Sequence, residues 1–133
     1  MQIRNLQALE VEPVRQFLAA NGWGHRVGTS EDFASLVENS QRAAVAFIEE
    51  DVVGFARGIT DGISNGYLSM VVVSPAHRNQ GIGRALVGHV MGSNPNITWV
   101  LRAGRDGAFA FFSKLGFSVS TVAMERERRQ HKG

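Results

Sequence analysis

Apolar residues recur first at helical and then at strand spacing along the chain. In residues 10–23, Val14, Phe17 and Leu18 fall on one face of a helix, and Gly22 follows the expected end of that helix. The pattern predicts an amphipathic helix near the beginning of the chain.

Residues 28–40 predict a second helix. Thr29 or Ser30 can cap its first turn, and the acidic Glu31 suits the positive end of the helix dipole. Phe33 lies on the apolar face of this helix, where it either packs against the core or lines a pocket.

Short apolar runs bounded by turn residues then indicate strands that alternate with two further helices. Acidic residues at 49–51 mark a hairpin, and Asp-Gly and Asn-Gly pairs precede the next strand. The predicted elements are two strands within residues 42–60, a strand at 67–73, a helix to about residue 89, a strand within 95–103, a helix within 105–117 and a last strand within 117–127, near a sheet edge. This order predicts an α/β fold with a mixed sheet.

Length and composition indicate one globular domain. The chain has 133 residues, 44% of them apolar, and we expect the domain to cover residues 1–125. It has no run of 18 apolar residues and no secretory signal pattern at its N-terminus, so no membrane association is expected. The absence of cysteine excludes thiolate metal sites and a cysteine nucleophile, and it is compatible with a cytoplasmic location.

The net charge of +2 comes from the C-terminal end of the chain. Residues 125–133 hold four basic and two acidic side chains, and the rest of the chain carries equal numbers of both. We therefore expect residues 126–133 to form a solvated basic tail, and the sequence does not favour a nucleic-acid partner.

Two glycines stand where a strand passes into a helix, in the segment "VVVSPAHRNQGIGRAL" (residues 71–86). Free amides at a helix N-terminus attract anions, and glycine lets a phosphate approach the backbone. The segment has no Walker lysine, and Leu86 stands where a dinucleotide-binding fingerprint needs a small residue, so neither of those motifs is present. The glycines alone are equally compatible with a tight packing turn.

Two longer strings resemble one family. Arg78, Asn79, Gln80, Gly81, Ile82 and Gly83 resemble the coenzyme A signature of the GNAT N-acetyltransferase superfamily, and the preceding strand end is similar as well. Residues 108–117, "AFAFFSKLGF", resemble a second element of the same family. The order of the other elements also matches, so the resemblance covers essentially the whole chain.

The resemblance implies a largely antiparallel central sheet flanked by helices, in which the strand ending near Val73 splays from its neighbour. It also implies direct transfer of acetyl from acetyl-CoA to a primary amine. It implies cofactor binding by the backbone of Val71, Val72 and Val73 and by the charges of Arg78 and Arg84. In the turn formed by Asn79, Gln80, Gly81, Ile82 and Gly83, the amides around Gln80, Gly81 and Gly83 would hold the pyrophosphate. Ala108, Phe111 and Phe112 would form a wall on the other side of the ligand.

The sequence offers several candidates for the catalytic groups. Phe112 occupies the position where many members of the family carry a tyrosine that protonates the leaving thiolate. Tyr67, Asp61 and Glu31 are the candidates for proton transfer. Each also has a structural alternative: strand packing for Tyr67, turn formation for Asp61 and helix-start charge for Glu31.

We expect the acceptor to be a small-molecule amine. Two alternatives remain open, namely acetylation of a protein lysine or N-terminus, and an acetyl-CoA sensor without turnover. A homodimer formed through the last predicted strand is a further expectation.

Overall fold

The structure, a computed structural model, describes residues 1–129. The chain divides into two compact units, Met1–Arg102 and a unit that begins at Ala103. The elements of the first unit are the strands β1 (Gln2–Asn5), β2 (Arg42–Ile48), β3 (Asp51–Thr60), β4 (Asn65–Val73) and β5 (Thr98–Val100) and the helices α1 (Val11–Leu18), α2 (Gly24–Val27), α3 (Ser30–Glu38) and α4 (Ile82–Met91). The second unit contains α5 (Ala108–Lys114).

The five strands form one sheet in the order β1-β2-β3-β4-β5. All neighbours are antiparallel except β4 and β5, which are parallel and are connected through α4. The predicted mixed, largely antiparallel sheet is therefore confirmed.

The two faces of the sheet pack against different helices. A Cβ atom at Gly54 would lie 2.7 Å from Leu86, and one at Gly58 would lie 2.6 Å from Val90, so α4 presses directly on the glycines of β3. On the other face, Phe55 packs edge-on against Phe33 of α3, with ring centroids 6.0 Å apart. Val14, Leu18 and Val72 complete that core.

The first two predicted helices are present. Beyond Leu18, α1 continues into a π-helical turn, Ala19–Trp23, in which Gly22 has a φ of 90°. Thr29 caps α3 as predicted, because its hydroxyl accepts from the Asp32 amide while the Asp32 carboxylate accepts from the Thr29 amide.

One strand was missed by the sequence prediction, and one predicted strand was wrong. β1 was not predicted, because its four residues include only one strongly apolar side chain, Ile3, and are held by pairing with β2. The last strand, predicted within residues 117–127, is not formed, since residues 117–129 contain no strand. Val119, Val122 and Met124 are exposed there. An alternating pattern of apolar and polar residues does not make a strand when no neighbouring strand supplies hydrogen bonds.

Three further expectations concern dimerisation, the bounds of the domain and the C-terminal tail. The homodimer was expected through the last strand, which is not formed, so dimerisation stays a prediction without that strand as its interface. The single domain over residues 1–125 also stays a prediction. Of the predicted tail, residues 126–129 are exposed and residues 130–133 lie outside the described residues. Within residues 1–129 no helix is long and apolar enough to cross a membrane.

Candidate functional site

A bulge interrupts the pairing of β3 and β4. Phe55 lies opposite Val72, whereas Arg57 lies opposite Ser69, so two residues of β4, at 70 and 71, face a single residue of β3. Met70 has a φ of +53°, a left-handed conformation in a non-glycine residue. A bulge of this kind bends the strand and changes the direction of the residues that follow it.

The far edge of β4 is open beyond this point. β5 pairs only with Asn65, Gly66 and Tyr67 and ends at Val100, while β4 continues to Val73. In the part of the chain that the structure describes, no other strand pairs with that edge. The pairing of β4 with β5 thus stops before the bulge, as the predicted splay near Val73 requires, and an extended ligand can bind to the unpaired edge in the manner of an added strand.

The turn after β4 leads into the exposed N-terminus of α4. The Ser74 amide donates to the Val53 carbonyl at 2.8 Å, and residues 75–77 form a 3-10 turn. Asn79 and Gly81 then adopt left-handed conformations, with φ values of 64° and 81°. Gly81 is the N-cap, and a Cβ atom placed on it would meet no atom within 4 Å.

Three consecutive amides are available at this helix N-terminus. The first intrahelical bond is donated by Ala85 to the Gly81 carbonyl, at 3.0 Å. The amides of Ile82, Gly83 and Arg84 therefore have no acceptor within the helix, and they lie at the positive end of its dipole. An anion can reach them past Gly81.

Two arginines flank the turn. The Arg78 Nε donates to the Val73 carbonyl at 3.3 Å, which ties the guanidinium to the end of β4. Arg78, Asn79, Gln80 and Arg84 are all exposed. The site thus combines an open strand edge, free amides and positive charge, which suits an elongated ligand with an anionic end.

Asp61 lies in the turn between β3 and β4. Its carboxylate accepts four hydrogen bonds, from the amides of Ile63, Ser64 and Asn65 and from the Ser64 hydroxyl. These bonds, first among them that from the Ser64 amide, hold the pKa of Asp61 well below its usual range. Such a carboxylate is a weak proton acceptor, so the geometry favours its turn-forming alternative.

Glu31 and Tyr67 are on different elements. Glu31 is exposed in the first turn of α3. The other end of α3 reaches the sheet near Asp61, where the Gln41 side chain accepts from the Thr60 amide. Glu31 lies seven residues before Glu38, the last residue of α3, which at about 1.5 Å per residue places it roughly 10 Å from that end. Tyr67 is half-buried on β4, opposite Ile59. Their catalytic roles stay predictions.

Arg57 is a residue that the sequence analysis missed. It is only 9% exposed and is the only polar residue between Val52 and Ile59 of β3. Its Nη1 donates to the Ser40 hydroxyl at 3.0 Å, and its Nε is buried without a partner among residues 1–129. Burial lowers its pKa, against an opposing influence of the nearby Tyr67. The feature of the sequence that could have identified Arg57 is its position as the only charged residue in the apolar run "VVGFARGI".

In the second unit, the predicted wall residues lie on α5. Phe112 packs against Phe111 and Phe117, with ring centroids 4.9 and 5.6 Å away. The Phe117 amide donates to the Phe112 carbonyl at 3.1 Å, and that of Gly116 donates to Ser113, so the helix ends in a Schellman motif. Ala108 begins the helix. The roles of Ala108, Phe111 and Phe112 toward a ligand stay predictions.

A cleft of about 520 Å³ lies elsewhere in the first unit, and none of the predicted site residues lines it. Its wall includes Ser40, Arg42 and His89. The Arg42 Nη1 donates to the carbonyls of Val90 and Met91, at 2.8 and 2.9 Å. That guanidinium therefore serves as a C-cap of α4. Neither the unpaired edge of β4 nor the free amides at the α4 N-terminus line this cleft.

Comparison with solved structures shows the same fold. A protein from Xanthomonas campestris pv. campestris assigned to the GNAT acetyltransferase family is 22% identical and has a TM-score of 0.79, covering 96% of this chain and 92% of that one. A GNAT acetyltransferase from Streptococcus pneumoniae TIGR4 is also 22% identical, with a TM-score of 0.72 and coverage of 97% and 98%.

An aminoglycoside 6′-N-acetyltransferase complexed with coenzyme A is a more distant neighbour. It is 23% identical, with a TM-score of 0.56, and the match covers 66% of this chain and 52% of that one. No curated protein matches the chain significantly.

A family model decides the classification. The acetyltransferase (GNAT) domain matches residues 39–119, which contain the bulged strand, the glycine turn and α5. That match spans more than half of the chain, and the resemblance drawn from the two motifs is confirmed. The chain belongs to the GNAT acetyltransferase family, whose co-substrate is acetyl-CoA.

Proposed function

We propose that this protein transfers the acetyl group of acetyl-CoA directly onto a primary amine of a small molecule. The observation that carries the proposal is the succession of an open β4 edge and an open α4 N-terminus, joined by residues 74–81. An acyl-pantetheine chain needs an extended backbone partner, and its pyrophosphate needs free amides, in this order along one ligand.

The residues present fit acetyl-CoA. The backbone of the β4 end would pair with the acetyl group and the pantetheine arm, and the open space at Gly81 leaves room for the pyrophosphate. The coenzyme A complex of the aminoglycoside acetyltransferase neighbour supports this assignment. The proposed ligand-binding residues of the first unit are Val71, Val72, Val73, Arg78, Asn79, Gln80, Gly81, Ile82, Gly83 and Arg84, with Ala108, Phe111 and Phe112 of the second unit as proposed contacts.

The proposed reaction needs little from the enzyme at the leaving group. The amine nitrogen attacks the thioester carbonyl, the C–N bond forms, and the C–S bond breaks with its electron pair on sulfur. An aliphatic thiol has a pKa of about 8.5, so the thiolate can leave before a proton reaches it. The phenyl ring of Phe112 therefore does not prevent turnover.

The amine must lose a proton, because an alkylamine with a pKa of about 10.4 is almost fully protonated at neutral pH. Tyr67, Glu31 and Asp61 remain the proposed proton-transfer candidates, directly or through water. The hydrogen bonds that Asp61 already accepts make it a weak base.

The test is a turnover screen. The protein and acetyl-CoA are incubated with a broad panel of primary amines, and release of the free thiol is followed with a thiol-reactive dye. We expect at least one small amine to be acetylated, and the folded Gly81→Val variant should be slower when acetyl-CoA is below saturation. Turnover only of peptides would favour the protein acetyltransferase alternative.

Tight acetyl-CoA binding without turnover of any amine or peptide would favour the sensor alternative. A cytoplasmic location is part of the same proposal, and fractionation of expressing cells would test it.

A further inference from the structure

A buried cation without a counter-ion lies on β3. Arg57 is 9% exposed, and its Nη1 donates to the neutral hydroxyl of Ser40. Its Nε–H is buried and has no partner among residues 1–129. The only hydrogen bond that the Arg57 side chain makes within residues 1–129 is the one to Ser40, so no carboxylate of that part of the chain pairs with it.

Such an arrangement lowers the stability of the folded protein unless an anion binds there. A buried guanidinium requires desolvation of a charge, and an unsatisfied donor adds a further penalty. The other partly buried arginines of the first unit show the usual solution. Arg4 and Arg15 have carboxylate partners, and Arg42 caps a helix C-terminus. Arg57 has neither a carboxylate nor a helix C-terminus as its partner. Its guanidinium is therefore suited to bind an anion of a ligand.

The position of Arg57 separates this anion from the phosphates of acetyl-CoA. Gly54 and Gly58 face α4, at whose N-terminus the pyrophosphate is proposed to bind. Phe55 and Arg57 alternate with those glycines and face the opposite side, toward α3 and Ser40.

Arg57 is nevertheless next to the expected reaction centre. It pairs with Ser69, the residue of β4 immediately before the bulged pair Met70 and Val71. Side chains directly opposite on neighbouring strands have Cβ atoms about 4.5 to 5.5 Å apart. The guanidinium is also close enough to Tyr67 to be influenced by it. An acceptor that reaches the bulge from this side would lie beside Arg57.

We infer that Arg57 binds a carboxylate of the acceptor, so that the preferred substrate is a small amine that also carries a carboxylate, of the amino acid type. The planar guanidinium offers a fork of parallel donors, Nε and Nη2, that matches a carboxylate, while Nη1 stays on Ser40. This inference rests on the proposed function, because it names the acceptor class of that reaction.

The kinetic test compares amino acids with the matching amino acid amides at saturating acetyl-CoA. The two amines of a pair differ in basicity, so the informative quantity is how their kcat/KM ratio changes between parent and variant. Removing charge-assisted hydrogen bonds should lower the carboxylate-to-amide ratio by roughly ten- to a hundredfold in Arg57→Met. Arg4→Met, which removes another partly buried strand arginine, should keep the parental ratio.

A binding test does not depend on turnover. In protein labelled with ¹⁵N-arginine, the Nε–H resonance of Arg57 is assigned by its absence in Arg57→Lys. Acetate and N-acetylglycine, added with coenzyme A, should shift that resonance, whereas N-acetylglycinamide should not. Inorganic phosphate and sulfate are titrated separately, and a shift by these ions but not by carboxylates would overturn the carboxylate assignment.

The outcomes separate this inference from the proposed function. If amines are acetylated but neither the ratio nor the Arg57 resonance responds to a carboxylate, Arg57 is a structural residue and the inference is wrong. If no amine is acetylated but the resonance responds to carboxylates alone, the carboxylate site stands and the proposed transfer fails. Should Arg57→Met not fold, Arg57→Lys replaces it in the kinetic test, since it keeps the charge but loses the planar fork.

Discussion

Gly81 provides the sharpest test of the anion site, because its substitution should have two separable effects. The residue has a φ of +81° and a ψ of 5°, and an added Cβ atom would meet nothing within 4 Å. A substitution therefore clashes with no other part of the protein. It costs only the strain of a left-handed backbone, about 1 to 2 kcal/mol for a residue other than glycine. With an unfolding entropy of about 2.1 cal/mol/K per residue, the melting temperature should fall by about 4 to 7 °C.

The second effect is on the ligand. A valine side chain at position 81 would occupy the open space through which a phosphate reaches the amides of Ile82 and Gly83, and strain would turn those amides away. Loss of one charge-assisted hydrogen bond costs about 1.5 to 3 kcal/mol. We therefore expect Gly81→Val to weaken acetyl-CoA binding by roughly 10- to 100-fold, measured by titration calorimetry.

Gly62 offers a matched control. It has a φ of +74°, and a Cβ atom there would come no closer than 4.0 Å to another residue, so the strain on substitution is similar. The nine residues of β4, about 30 Å of strand, lie between it and the turn at Gly81. Gly62→Val should lower the melting temperature but leave acetyl-CoA affinity unchanged. Native affinity in a folded Gly81→Val, or equal losses in both variants, would refute the anion-site argument.

Four further expectations concern chemistry and stability. The kcat/KM for the best amine should rise between roughly pH 6 and 9, because only the unprotonated amine attacks. A kcat/KM that does not change with pH would contradict the requirement that the amine lose a proton first. Phe112→Tyr should change the rate by less than about threefold, since the thiolate can leave before a proton reaches it; a large gain in kcat would contradict this. Deleting residues 126–133 should alter neither the melting temperature nor acetyl-CoA affinity, and a fall of several degrees would show that the tail packs. Arg15, then Ser30, lowers the pKa of Glu12 from 4.5 to about 2, so stability present above pH 4.5 should be lost as the pH falls toward 2; Glu12→Gln should flatten that loss in melts across this range.

Several predictions succeeded because their causes are local. The cap of α3 depends on Thr29 and Asp32, three residues apart, and the hairpin depends on two residues between Ile48 and Asp51. The helix after the glycine turn begins at Ile82 because Gly81 alone supplies the left-handed cap. Turns and caps involve neighbours within one helical turn, so their signals are present in short windows of sequence.

The errors concern pairing between distant segments. β1 is a strand because its backbone pairs with β2, some forty residues later, and not because its own residues favour one. The segment after α5 alternates like a strand yet has no ladder in the described chain. Alternation describes which residues could share a face, whereas a strand exists only where a neighbour supplies its hydrogen bonds.

The sequence by itself determined the family, the order of most elements and the glycine turn, since each depends on residue types in short, ordered strings. Only the tertiary structure placed the bulge at residues 70 and 71, opened the β4 edge beyond Tyr67 and buried Arg57 without a carboxylate. Register and desolvation depend on which distant groups surround a residue. A lone arginine in a strand therefore has a meaning only once its neighbours in space are known.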